Sequence, residues 1–449
     1  MDGTDVPVRW RRWIAAVLTI GVAAGVATGV ALRSPALRPA RVSTAPVLLH
    51  SARAFAIPGR PLQLEVAAFC AEVQDPERCR LRSGTIHIEP AGARAVDLPG
   101  VVRDDRVRFD LPASVIGAQG FRYSIAVEDV LGQRSLYPPD GDATLQVRST
   151  AGLREIRLPT FSWRDTLAGE PLVELPYGAA PGEVGIAPAQ GDGLASGESS
   201  FDVGPTGELY IADRVNRRIQ VLDPDGRYRS ELPLPDQRAV DIAVSPSGEV
   251  FTATLGDAAQ VSRIQRTGAP STVAVPFGVV ARLRVGAEGP MAVVGDAQYL
   301  PVPVGGATLG AAEQAQRIQA GPPSEGRVTS LTGPVGDHTV AATWTDPDGA
   351  AHGALLHLPP DVFVGSDYFT HPLPDGGAVV AQGLYAPGHN VVGILRLGPT
   401  GSLLAFHRLP EPSFRQDARW STVRWRDPGD VLVIYEDPQG VRIDRFEVI

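Results

Sequence analysis

The chain predicts an all-β protein whose larger part is a series of small antiparallel sheets, and two observations carry that prediction. The stretch 201–226, FDVGPTGELYIADRVNRRIQVLDPDG, holds three short strand-like runs separated by turn chemistry. A unit this short cannot bury its own apolar face, so it must be one of a series. Similar turns then recur ahead of β-rich runs, at Gly207, Gly248, Gly289, Gly336, Gly377 and Gly429, at intervals of 41, 41, 47, 41 and 52 residues. A period of roughly 40–50 residues is that of a four-stranded propeller blade. Pro presets φ at the second turn position and Gly tolerates the positive φ that follows. Six turns imply a six-bladed β-propeller over 170–449.

The sixth unit supplies only three runs of its own, ARWSTVRW, DVLVIYE and VRIDRFEVI. An open edge would be an aggregation hazard. PLVELPYG at 171–178 is therefore expected to add the missing strand, closing the ring with an N-terminal strand beside the C-terminal one. GEVGIAPAQGDGLASGES reads as a crossing loop.

The unit at 199–231 resembles an NHL repeat in its Gly207 turn, its strand ending in Ala212-Asp213, and its Asn216 and Arg218-Ile219 group. The resemblance covers 170–449 as architecture and only 199–231 as sequence; the second unit, TATLGDAAQVSRIQ, has lost the motif. NHL propellers mostly bind partners, and some relatives in fold are lyases or lactonases with a metal in the central channel. Asp213, Asn216 and Arg218 read as structural repeat residues, with Asp and Asn satisfying backbone groups of the turn and Arg packing between blades.

Composition agrees with many short strands and turns: 449 residues include 49 Gly and 41 Pro. Lys is absent, so all 41 basic residues are Arg, and Asn occurs only at 216 and 390. This reads as the coding bias of a GC-rich, bacterial-type genome. A net charge of −9 argues against a nucleic-acid partner, which needs a basic stripe.

Residues 13–32, WIAAVLTIGVAAGVATGVAL, form an uncharged run long enough to cross a bilayer as a helix of about 30 Å. Arg9, Arg11 and Arg12 precede it, and Trp10 and Trp13 suit the interface. The run is expected to be a single-pass signal anchor, with 1–12 cytoplasmic and the bulk of the chain extracytoplasmic. Cleavage after Ala36 is the alternative. Gly21, Gly25 and Gly29 form a GxxxGxxxG row of the kind that lets two helices pack closely, so a homodimer is a further expectation.

Residues 33–46 read as a Pro- and Ala-rich linker. Between 47 and 148 the pattern changes to about seven short strands, with PLQLEVAAFC alternating in period two. That suits an immunoglobulin-like sandwich. RFDLPAS followed by FRYSIAVEDVLGQRSLYPP, with its turn at Asp129 to Gly132, resembles bacterial Ig-like or fibronectin type III-like modules. Residues 149–169 read as a second linker. Cys70 and Cys79 are the only cysteines, and on an exported chain they are expected to form a disulfide; two free thiols or half a metal site are the alternatives.

Candidate chemistry is sparse. The DPDG segments at 223–226 and 346–349 lack the spaced carboxylates of a calcium loop and read as turns. His338, His352, His357, His371, His389 and His407 show no shared blade position from which a zinc site would follow. No G-x-S-x-G elbow or P-loop is present. No cofactor is expected. Loops on a rigid scaffold carry function more often than their share, which directs attention to 296–326, to 406–420 and to the hairpin loop APGHN. Tyr385, His389, Phe414, Arg415, Arg419 and Trp420 are the candidate binding residues. The expected role is a membrane-anchored scaffold presenting its propeller face to a protein or glycan of the cell envelope. A propeller lyase or lactonase with a channel metal is the second reading.

Overall fold

The computed structural model describes residues 46–449 except 51–52, 70–79, 139–143, 188–196, 198–199, 235, 255–258, 267–268, 276–281, 287–288, 295–297, 303, 305–318, 321–329, 411–421 and 438. The expected membrane helix 13–32, Gly21, Gly25 and Gly29, and the Cys70–Cys79 pairing lie outside the described residues.

The first part of the described chain is a sandwich of two sheets. One sheet orders Val47–His50, Leu62–Phe69, Arg106–Leu111 and Val101–Arg103. The other centres on Phe121–Asp129, which pairs antiparallel with Leu81–Pro90, Leu145–Ser149 and Arg134–Tyr137. Its strands alternate: Tyr123, Ile125 and Val127 of Phe121–Asp129 are buried and their neighbours are not. Period-two burial is what a sheet with one face on a core and one toward solvent requires.

The second part is propeller-type: six four-stranded sheets in succession. Four are antiparallel meanders, and the first runs Phe201–Val203, Leu209–Asp213, Arg218–Leu222 and Tyr228–Pro233. Here the central strands do not alternate. Arg218–Leu222 and Val250–Thr254 are buried at every residue, whereas the outer strand Ser271–Ala274 alternates. A strand covered by neighbouring sheets on both faces is buried along its whole length, here including the polar Arg218, Gln220, Thr252 and Thr254.

The sixth sheet is completed by Glu170–Pro176, which pairs antiparallel with Gly440–Glu447. Leu175 and Val173 of that strand join Leu209, Ile211, Leu432 and Ile434 in one buried cluster between the sixth and first sheets. The fourth sheet differs from the sequence-based expectation. Its own strands are Ser330–Gly336, Thr339–Thr345 and Ala351–His357, and the fourth strand is Arg154–Arg157, paired parallel to Ala351–His357. The span 149–169 thus contains a strand where a linker was expected. Local pattern concealed it, because a four-residue strand on an outer edge buries only Ile156 deeply.

The rest of that span follows the outer edges of the next sheets. Leu158 N–H donates to the His357 carbonyl and Leu167 N–H to the Arg408 carbonyl. Phe161 packs edge-on against Trp163 and Phe406, at 5.1 and 5.4 Å between ring centroids. The strap ends at the closing strand.

The sandwich is packed into the repeat sheets and does not hang from them. Its core is continuous with Ala243, Phe251, Leu283 and Ala292 of the second and third sheets. Phe55 sits in a cluster with Met291 of the third sheet and Ala341 and Leu355 of the fourth.

The turns refine the repeat register. Gly207, Gly248 and Gly289 have φ of 88°, 82° and 122°, as the turn chemistry requires. In the fifth repeat the positive φ of 82° falls on Gly376, not Gly377. Gly377 is small for another reason: a Cβ there would lie 2.3 Å from the Leu397 carbonyl oxygen. Both DPDG segments are turns. Gly226 N–H donates to the Asp223 carbonyl, and Gly349 N–H to the Asp346 carbonyl.

Candidate functional site

The corrected turn register relates residues of five innermost strands. Counting five residues back from Gly207, Gly248, Gly289, Gly376 and Gly429 gives Asp202, Ala243, Arg284, His371 and Arg424. All five line one cavity of about 950 Å³ at the meeting point of the innermost strands. By strand pairing Asp202, Ala243, His371 and Arg424 are equivalent, each lying opposite the residue three after its turn Gly, whereas in the third sheet Leu283 holds that place and Arg284 is its neighbour. Adjacent residues such as Val203, Val244, Leu283 and Val285 line the cavity as well, so it lies at the strand ends and not on one face. Among the described residues the fourth sheet contributes no lining residue.

Most of the charge at this level is engaged between sheets. Arg424 Nε donates to Asp202 Oδ1 at 2.7 Å, joining the sixth sheet to the first. Asp202 Oδ2 accepts from Val244 N–H of the second sheet at 2.7 Å. Asp241, fully buried, accepts from Leu283 N–H of the third sheet at 2.7 Å and from the Ser200 hydroxyl of the first at 2.6 Å. Arg284 reaches from the third sheet to the Tyr368 carbonyl of the fifth. Arg426 donates to Asp430 at 2.7 Å and to the Pro224 carbonyl at 3.2 Å. Buried carboxylates and guanidinium groups are tolerated because nearly every polar atom has a partner.

His371 and Trp425 make the cavity's aromatic wall. Their rings stack at 4.9 Å with an interplanar angle of 23°. Trp425 Nε1 donates to Asp427 Oδ1 at 2.8 Å, and His371 Nε2 lies 3.7 Å from the same oxygen. Burial holds the His371 imidazole below its ordinary pKa, and the Asp427 carboxylate acts against it. The wall therefore offers a neutral imidazole on an indole face, a surface suited to binding flat or weakly polar groups.

The predicted binding residues are placed elsewhere. Tyr385 is 41% exposed on the hairpin of Ala378–Ala386 and His389–Leu397, stacked on Phe363 at 5.3 Å. His389 stacks on Trp163 of the strap at 5.6 Å. Neither lines the cavity. Phe414, Arg415, Arg419 and Trp420 lie outside the described residues. His338 donates through Nδ1 to the Val362 carbonyl at 2.6 Å, and His352 Nε2 pairs with Asp346 Oδ2 at 2.7 Å. Among the described residues no three His, Cys, Asp or Glu side chains gather as a metal-holding group.

Asp213, Asn216 and Arg218 form a clamp on the loop that follows the closing strand. Asp213 Oδ2 accepts from Arg218 Nε at 3.0 Å and from Asn216 Nδ2 at 2.9 Å, while Oδ1 accepts from Gly185 N–H at 3.0 Å. Arg218 Nη2 donates to the carbonyls of Ala180 and Glu183, both at 2.7 Å. Asn216 Nδ2 also donates to the Gly178 carbonyl at 2.8 Å. The Arg reaches over this loop, not between sheets as the repeat resemblance implied, because the loop 177–187 lies against its strand.

No protein-family model matches the chain, and no curated protein matches it. Solved structures do. Hydrazine synthase of Kuenenia stuttgartiensis is 13% identical with a TM-score of 0.33, over 56% of this chain and 79% of that one. A streptogramin B lyase is 11% identical with a TM-score of 0.31, over 56% and 93%. A protein of unknown function from Bacteroides thetaiotaomicron is 9% identical with a TM-score of 0.34, over 91% and 99%.

Proposed function

We propose that this chain is a membrane-anchored, extracytoplasmic scaffold whose six repeat sheets form one six-bladed ring, with a sandwich of Ig-like type built into it, and whose ligand-binding surface is the mouth of the central cavity. The observation that carries this reading is the convergence of Asp202, Arg284, His371 and Arg424, from the innermost strands of four sheets, on a single cavity of about 950 Å³. Clefts of this size are the usual place of ligand contact. The ligand is a protein or glycan of the cell envelope, and the apolar run 13–32 supports the location.

Binding is favoured over channel chemistry because the cavity's charged groups hold one another. Arg424 is committed to Asp202, Arg426 to Asp430 and Arg284 to a backbone carbonyl. A catalytic acid or base needs a proton-accepting atom aimed at substrate. His371 is the one titratable lining group with a depressed pKa, and it is the residue on which an enzyme reading would turn.

The test is capture of partners from solubilised membranes by the full-length protein and by its Trp425→Ala variant. A partner retained by the parent chain and lost from the folded variant is the expected result. Capture that is indifferent to Trp425 removes the cavity from the interface. Stoichiometric zinc or calcium whose chelation abolishes a lyase or lactonase activity would replace the scaffold reading with the enzyme one.

A further inference from the structure

One apolar feature of the sandwich is used by neither the fold nor the cavity. Val130 and Leu131 are 47% and 56% exposed, and they are the only adjacent pair among the large exposed apolar residues described. They form the apex of the turn between Phe121–Asp129 and Arg134–Tyr137. Turn apices ordinarily carry Gly, Asn, Asp or Ser, so two branched apolar side chains there run against local preference.

The turn that presents them is firmly built. Asp129 is fully buried, and its Oδ1 accepts from Leu131 N–H at 2.9 Å and Gln133 N–H at 2.8 Å. Gly132 takes φ of 79°, and Val130 N–H donates to the Arg80 carbonyl at 2.9 Å. Neither apolar side chain is needed for this geometry, which rests on Asp129, Gly132 and the backbone.

The position of the tip identifies its occupant. The Ser135 hydroxyl donates to the Pro46 carbonyl, and the Tyr137 hydroxyl to the His50 carbonyl at 3.5 Å. Val47–His50 and Arg134–Tyr137 therefore run side by side in the same direction, both leading away from the tip. The chain enters the sandwich at the end where Val130 and Leu131 project. At about 3.3 Å per residue, the tip lies roughly 10–13 Å from Pro46. The fourteen residues 33–46 that join Pro46 to the apolar run ending at Leu32 span at most about 50 Å. Exposed Arg80, Arg82 and Arg134 flank the turn, with Glu128 engaging Arg82 at 3.3 Å.

From this arrangement we infer that the Val130–Leu131 tip docks on the outer surface of the anchoring membrane, seating two apolar side chains at the interface with Arg134 beside them at the level of anionic headgroups. An apolar apex with an exposed cation such as Arg134 at its side is the local chemistry of interfacial membrane contact. Tethering by residues 33–46 makes the second contact effectively intramolecular, so a weak apolar tip suffices. Docking would hold the sandwich, and the sheets packed on it, at a set orientation to the bilayer. The inference rests on the membrane-anchored reading.

The experiment uses full-length protein reconstituted in bilayers of phosphatidylcholine with phosphatidylglycerol, with and without brominated acyl chains. Leu131→Trp places a reporter at the tip and Val130→Trp a second one. Leu404→Trp, at a 57% exposed site on the fifth repeat sheet, is the control. The expected result is a blue-shifted tip emission, quenched by bromolipid roughly twofold or more beyond the control, as for a ring at the acyl boundary. Tip emission that matches the control in protein resisting carbonate extraction overturns the docking and leaves the anchor standing. Release of the chain by carbonate overturns the anchored reading itself, and the docking with it.

Discussion

The Arg424 guanidinium bridges to the Asp202 carboxylate at 2.7 Å across the junction of the last and first repeat sheets, 222 residues apart in the chain. Arg424 also lies 3.7 Å from Asp241, and Asp202 in turn accepts the Val244 N–H. One cation thus serves carboxylates of two sheets from the innermost strand of the sixth sheet, while Glu170–Pro176 completes that sheet at its opposite edge by backbone pairing. Side-chain and main-chain closure occur together.

Removing Arg424 leaves two largely buried carboxylates without their cation. Breaking a buried pair from one side costs about 3–5 kcal/mol, because the remaining charge stays desolvated. Arg424→Met is expected to destabilise the fold by about 3 kcal/mol in denaturant unfolding. Asp202→Asn, which keeps one acceptor oxygen and leaves Arg424 3.7 Å from Asp241, is expected to cost clearly less. Equal effects of the two would show that the charge is not what matters.

Closure through the backbone has its own test. Leu175 is 3% exposed in the cluster between the sixth and first sheets. Leu175→Ala is expected to cost about 2–5 kcal/mol from lost burial and a residual cavity. Amide exchange should accelerate first along Gly440–Glu447, the strand that Glu170–Pro176 covers. Uniform acceleration across all sheets would mean that the closing strand is no local fastener.

The turn glycines are not equivalent, and the repeat reading treats them as though they were. Gly207 has φ of 88°, while Gly336 is absent from the positive-φ set and has no atom within 4 Å of where a Cβ would stand. Gly207→Ala is expected to lower stability by about 1 kcal/mol from left-handed strain. Gly336→Ala is expected to be neutral or slightly stabilising, since it reduces the entropy of the unfolded chain. Thermal unfolding of the two variants side by side decides this.

His50 predicts a pH dependence. It is buried in the sandwich, where Nδ1 donates to the Glu65 carbonyl at 2.7 Å and Nε2 is 2.7 Å from the Tyr123 hydroxyl. With Nδ1 donating, Nε2 accepts from the hydroxyl and the ring is neutral. Burial lowers its pKa to about 4. The unfolded chain takes up the proton near pH 6.5, before the folded one does, so the contribution is whole above that pH. It is lost as pH falls toward about 4, on the order of 3 kcal/mol in all. His50→Phe should flatten this slope between pH 6.5 and 4, and an unchanged slope would assign the acid sensitivity to another group.

How much of this was legible follows from particular residues. The turns at Gly207, Gly248 and Gly289 were readable because positive φ restricts the residue type, and the closing strand because the sixth unit lacked one. The fifth turn was misplaced by one residue, since Gly376 and Gly377 sit side by side and only their backbone angles distinguish them. That single step conceals the equivalence of His371 with Asp202 and Arg424. Arg154–Arg157 was missed because an outer strand in parallel pairing needs little apolar character of its own.

The sequence alone determined the all-β class, the approximate period and the chemistry of the turns at Gly207, Gly248 and Gly289, because these depend on residues a few positions apart whose φ and burial preferences are local. Tertiary structure decided which strand completes the fourth sheet, which carboxylate Arg424 meets, and that Phe55 of the sandwich lies among Met291, Ala341 and Leu355. Those outcomes join residues tens to hundreds of positions apart. They are selected by packing and by partners for buried charge, which no short window of sequence contains.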